Sequence, residues 1–270
     1  MPQLSILLST INDRIFQAET ILNTPLPDTE FVVVHQLTEG NVAENYQSFY
    51  ARFTEKPVRF IQQSAKGTGR SRNAALRAGS GNLFYLCDDD LILEPEFLDR
   101  ILQASSQYPN ADIFTFQIRT TEGKPYKNYP DKPYQHTLRS TATVSIVEMV
   151  IRKSAVDNEM IAFDERFGLA TDYNTGEEFV MLHDALTKGA VAMYIPQVLV
   201  QHPPVSSGKI YNKTVAFEKG AMIARVYDWR WPFINVAFAV RKYKEYRHSA
   251  GFFAFLIAMY KGSMHFNKND

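Results

Sequence analysis

Residues 82–95 read NLFYLCDDDLILEP. An apolar run with the composition of a buried strand ends at Cys87. Three carboxylates follow at Asp88, Asp89 and Asp90, and then a second apolar run. Adjacent carboxylates repel, so something must offset their charge. Capping does not account for them, because a cap needs one Asp directly before a helix. Pro95, which suits the first position of a helix, lies well beyond all three. Two readings stay open at this point. One is a solvated acidic turn. The other is a ligand site, since open α/β sheets bind ligands beyond the carboxyl ends of their strands. Divalent Mg2+ or Mn2+ takes oxygen ligands of this kind and would relieve the repulsion.

Outward from this stretch, strand-like and helix-like segments alternate. LSILLST (4–10), FVVVHQL (31–37) and VRFIQQ (58–63) read as strands. DRIFQAETILN (13–23) reads as a helix between the first two. GRSRNAALRAGSG (69–81) reads as a helix that stops at Gly79, and a further helix opens at Pro95. This order predicts an α/β fold with a mainly parallel sheet flanked by helices. Residues 121–139, rich in Pro, Tyr and Lys, read as a long loop of the kind that often carries function. TATVSIVEMVIRKSAV (141–156) returns to strand-like composition. EEFVMLHDALTKG (177–189) reads as a helix stopped by Gly189, and AVAMYIPQVLVQH (190–202) as a strand pair or a bent strand. Past residue 205 the pattern is helical. The expected division is 1–205, with halves 1–115 and 116–205, and a helical segment 206–270.

Composition narrows the function classes. Apolar residues make up 45% of the 270, enough for a packed core. Lys plus Arg and Asp plus Glu both number 29, so no global charge attracts nucleic acid. The single cysteine excludes an internal disulfide. The first residues lack the basic region and cleavage site of a signal peptide. The apolar run AGFFAFLIAMY (250–260) is too short to span a bilayer. A cytoplasmic protein is expected, with a surface suited to the inner face of a membrane.

Three further segments can carry chemistry. In KGTGRSRNAAL (66–76) the third glycine of a dinucleotide fingerprint is missing, and no P-loop occurs. Lys66, Arg70 and Arg72 surround a helix start, where cations and free N–H groups can hold phosphates, or can form an ordinary solvated basic face. Glu177 and Glu178 begin a helix whose dipole favours ionised carboxylates. That placement alone is a common stabilising device, and an ionised Glu can also take a proton from a hydroxyl. His202 ends a strand, where it is either structural or able to complete a metal site.

Taken in series, these pieces resemble the family 2 glycosyltransferases, which have the GT-A fold. The carrying residues are LSILLSTINDR, GRSRNAALRAGSGNLFYLCDDDLILEPEFL, FDERFG…TGEE and VLVQH, spanning roughly residues 4–202. The resemblance implies a GT-A, Rossmann-like sheet and a nucleotide-diphospho-sugar donor. It places Thr10, Asn12 and Arg14 near the nucleoside, with Lys66 and Arg72 on the donor. Asp88 would face the nucleotide-sugar, Asp89 would contact either donor or metal, and Asp90 would hold Mn2+ or Mg2+ with His202 as a further ligand. Glu178 would be the catalytic base, with Glu177 as the fallback. One sugar would pass to an acceptor hydroxyl by a single inverting displacement, as in synthesis of surface polysaccharide or glycolipid.

Two departures stand out. The family usually ends its second strand with acidic residues that read the base, whereas this chain has His35 and Gln36. The QxxRW motif of processive synthases is absent, which implies one sugar per encounter. Other classes compete. A nucleotidyltransferase would normally carry a glycine-rich N-terminal loop, which LSILLSTINDR lacks. A noncatalytic nucleotide-sugar binder would not need the full set of Asp triplet, Glu pair and histidine. An Asp-nucleophile phosphatase would place its Asp motif after the first strand. Residues 226–266 interleave Trp, Phe and Tyr with Arg and Lys. They read either as helices packed on the core or on another copy in a homo-oligomer, or as an interfacial surface for a lipid-linked acceptor.

Overall fold

A computed structural model of the chain describes residues 2–38, 40–203 and 211–269. The Val-rich and Leu-rich runs form a nine-stranded sheet. Its strands are β1 (Leu4–Ile11), β2 (Thr29–Gln36), β3 (Val58–Gln63), β4 (Leu83–Cys87), β5 (Ile92–Leu93), β6 (Ile113–Thr120), β7 (Tyr134–Gln135), β8 (Met149–Arg152) and β9 (Ala192–His202). The order is β3-β2-β1-β4-β8-β6-β9-β5, with β7 also on β9. Strands β1 to β4 pair parallel, β8 runs antiparallel to β4 and β6, and β6 pairs parallel with β9. All five residues of β4 are buried, as suits a strand covered on both faces. Its carboxyl end therefore delivers Asp88–Asp90 to the edge of the sheet's ligand side.

Helices α1 (Thr68–Ala78), α2 (Phe97–Gln107) and α3 (Glu177–Thr187) flank the sheet. Gly79 ends α1, as expected. Three longer helices follow: α4 (Lys213–Tyr227), α5 (Trp231–Arg241) and α6 (Phe252–Asn269). A second hydrophobic core joins them to Phe167, Tyr173, Phe179 and Val180 of the preceding region. The helices α4 and α6 cross at touching distance. A Cβ on Gly220 would run into the Met259 carbonyl, and one on Gly262 into the Phe217 carbonyl. The division expected at 205/206 lies outside the described residues.

Several local readings differ from the structure. The helix expected over 13–23 is a 3-10 segment (Asn12–Ala18) with only four α-helical residues, Glu19–Leu22. Tertiary bonds win over propensity there. Asn12 sits at φ 46°, its side-chain Oδ1 accepts the Thr38 N–H at 2.9 Å, and its carbonyl accepts from His35 Nε2 at 2.9 Å. Residues 141–156 hold a strand only at 149–152. A capping box between Ser145 and Glu148 winds the preceding residues into a 3-10 turn. The helix α2 starts at Phe97, two residues after Pro95. The strand β6 has no counterpart among the expected elements, and the halfway boundary expected at 115/116 falls inside it.

Candidate active site

A cavity of about 640 Å³ opens along the carboxyl ends of β1 and β4 and the start of α3. The aspartates at its floor do not share one environment. Asp88 accepts from Arg72 at 3.3 Å. Asp89, only 2% exposed, is gripped by both edges of Arg14 and by the Thr10 hydroxyl at 2.6 Å. Burial pushes its carboxyl up, and the Arg14 and Thr10 bonds pull it back. The pairing with Asp89 in turn holds the Arg14 guanidinium above its ordinary value. Asp90 lies 3.6 Å from Arg14 and 3.8 Å from His202 Nε2. Two arginines, from the 3-10 segment after β1 and from α1, thus offset the repulsion between the three carboxylates.

Arg72 links the two acidic clusters. It is 6% exposed, and its other nitrogen reaches Glu177 Oε1 at 2.8 Å. Burial opposes its charge, but Glu177 and Asp88 outweigh that and raise its pKa. Glu177 is therefore committed to an ion pair. Glu178, its neighbour at the first turn of α3, is half-buried and is pushed up to about 7 by burial and by the Glu177 charge, against the pull of Lys219 and Arg72. Gly176 precedes them at φ 89°, and a Cβ there would meet Met222 of α4.

Lys219 also comes from α4. Its Nζ donates to Thr175 Oγ1 at 2.8 Å, while Glu218 accepts from Asn174 at 3.1 Å. Burial lowers the Lys219 pKa, and Glu178 and Glu177 oppose that. The C-terminal helices therefore fasten the loop that presents Glu178. No pattern in the sequence marks Lys219, because only the fold brings it 41 residues back to Glu178.

The remaining expected site residues divide. Thr10, Arg14, Arg72, Asp88, Asp89, Asp90, Glu177, Glu178 and His202 all line the cavity. Asn12 instead clamps Thr38. Lys66 is exposed beside Gly67, itself a lining residue. Arg70 pairs with Glu165 at the surface, at 3.1 Å. His35 is fully buried between the Tyr50 hydroxyl (2.6 Å) and Asn12, so it holds the β2 end rather than facing a ligand. Gln36 does line the cavity. Its Oε1, with Ser9 Oγ and Asp90 Oδ1, is buried and lacks a protein hydrogen-bond partner among the described residues.

The fit of a divalent cation turns on Asp90 and His202. The His202 Nδ1 donates to the Pro203 carbonyl at 2.7 Å, which in the neutral ring leaves a lone pair on Nε2. That nitrogen and the orphaned Asp90 Oδ1 are 3.8 Å apart, within the span of two ligands each about 2.1 Å from one ion. No group of three or more His, Cys, Asp or Glu able to hold a metal exists among the described residues. Such a pair suits Mg2+ or Mn2+, which commonly take one or two protein ligands and complete their shell with phosphate and water.

A mixed α/β sheet with ligand groups at its carboxyl edge and added C-terminal helices defines the class as a GT-A type glycosyltransferase fold. The model of Glycosyl transferase family 2 matches residues 17–157, and the chain belongs to that family. The matched stretch includes Arg72 and the Asp triplet but ends before the Glu pair and His202. The fold is similar to that of Staphylococcus aureus TarS, at TM-score 0.60 and 16% identity over 92% of this chain. This chain covers 44% of that TarS chain. Against TarS 1–349 in complex with UDP-GlcNAc the TM-score is 0.61 at 15% identity, covering 92% of this chain and 74% of that one. No curated protein matched by sequence.

Proposed function

We propose that the chain moves one sugar from a nucleotide-diphospho-sugar to an acceptor hydroxyl, with inversion and with Glu178 as base. The observation that carries this reading is the shared cavity. A carboxyl held up to about 7 stands at a helix N-terminus, opposite a cation-braced acidic floor. A base with that pKa is ionised for part of the time near neutral pH and still takes a proton well.

Arg72 and Arg14 would hold the donor's diphosphate side as well as the aspartates. Asp89 serves mainly to fix Arg14. Ser9 Oγ and Gln36 Oε1 supply free hydrogen-bonding capacity toward the nucleoside. Glu178 removes the acceptor hydroxyl proton as oxygen attacks the anomeric carbon, and Lys219 limits how far its carboxylate is disfavoured. Asp90 and His202 would hold Mn2+ or Mg2+, which supplies charge stabilisation for the departing diphosphate. The acceptor is a glycan or a lipid-linked glycan, as in surface polysaccharide or glycolipid synthesis.

The test is a panel of nucleotide-sugars headed by UDP-GlcNAc, which the TarS fragment holds. Binding is read by calorimetry and donor hydrolysis by nucleoside diphosphate release, each with and without Mn2+. Saturable binding and metal-stimulated hydrolysis of one donor are expected. Absence of both across the panel would sink the proposal.

A further inference from the structure

The helical hairpin farthest along the chain carries an apolar face that none of the described residues covers. Trp229, Phe233, Val236 and Val240 follow the i, i+4, i+7, i+11 spacing, so they line one face of α5 and the turn before it. Trp229 and Phe233 are each 71% exposed. The opposite face of α5 is spoken for: Asn235 and Ala239 are buried, and Asn235 donates to Ser263 of α6 at 2.9 Å. Tyr243 meets Phe252, and Phe252 meets Phe253, which is 75% exposed at the start of α6. A ring-to-ring chain thus extends the apolar face across the turn onto α6, where Ile257 is also exposed.

The charge around this face is one-sided. The whole chain is neutral, yet residues 228–269 hold seven Lys or Arg and only two acids, Asp228 and Glu245. Glu245 is taken by Lys242 at 3.2 Å. Arg230, Arg241, Lys244, Arg247 and Lys261 are exposed. Exposed aromatics beside exposed basic side chains match the boundary between acyl chains and anionic headgroups. A second copy of the same face would bring like charges together. No described helix is long and apolar enough to cross a membrane, so the contact would be one of lying on the surface.

We propose that α5 and the start of α6 dock the protein on an anionic phospholipid bilayer. Lys219 on α4, packed directly against α6, then connects the docked hairpin to the loop that presents Glu178.

The experiment is flotation of the full chain with vesicles of phosphatidylcholine alone or with phosphatidylglycerol, without donor, so its failure leaves the sugar-transfer reading standing. Binding should need the anionic lipid and weaken with salt. Removing each of Arg241, Lys244 and Arg247 (to Gln) should weaken it about fivefold. Phe233→Ser should weaken it about tenfold or more, with circular dichroism and donor binding unchanged. Equal binding to neutral vesicles, or none to either kind, would overturn the proposal. So would a concentration-dependent dimer abolished by Phe233→Ser, which would assign the face to a second copy.

Discussion

The Glu178 environment predicts a particular pH profile. Burial and the Glu177 charge hold the carboxyl up to about 7, while Lys219 and Arg72 draw it down. A base must be ionised to act, so kcat/KM should fall as pH drops through that value. Ionisation of one group with this pKa changes from about one part in eleven at about pH 6 to about ten in eleven at about pH 8, a tenfold difference. Two substitutions should move the limb in opposite directions. Glu177→Gln removes the like charge and should shift it toward acid. Lys219→Met removes the cation and should shift it toward alkali, in each case by about one unit or more. The assay is initial-rate release of nucleoside diphosphate from the donor across this range at constant ionic strength. The Glu178→Gln protein serves as the baseline. A flat profile, or a limb that neither substitution moves, would refute the assignment of Glu178 as base.

Five other expectations rest on the same structure. Glu178→Gln should cut transfer by about 100-fold or more while sparing donor affinity. Because the folded-state pKa lies above the unfolded value, the carboxyl favours the folded chain below about 4.5 and loses that advantage as pH rises through about 7. The same variant should therefore melt higher than the parent at alkaline pH, by on the order of 2 kcal/mol in stability, with the gap closing in acid. His202→Ala should weaken Mn2+ binding measured in the presence of nucleoside diphosphate by about tenfold or more, with the fold intact. Arg225 joins Asp164 at 2.9 Å and Asp184 at 2.6 Å. Arg225→Met should lower stability by about 1–3 kcal/mol in a denaturant titration, and Gly220→Val by at least as much through overpacking against Met259.

What could be read from the chain depended on the range of the interaction. The strand ending in YLCDDD was legible because burial on both faces of β4 demands a continuous apolar run, and a run that stops in carboxylates marks an exit to the ligand side. The helix stop at Gly79 was legible for a similarly local reason. The role of each aspartate was not, since it is set by cations 75 residues away at Arg14 and 16 away at Arg72. Residue type and order alone do not distinguish the three carboxylates, and only the family resemblance assigns them different partners. The fold gives one tied to Arg72, one locked under Arg14, and one with an oxygen left unpartnered beside His202. The same holds at the other end of the cavity. Glu177 and Glu178 look interchangeable as adjacent acids at a helix start, but successive helical positions point about 100° apart. One turns to Arg72 and becomes a strut. The other is left with burial and the more remote pull of Lys219 and Arg72, and that difference in environment, rather than in residue type, is why we propose Glu178 for proton transfer.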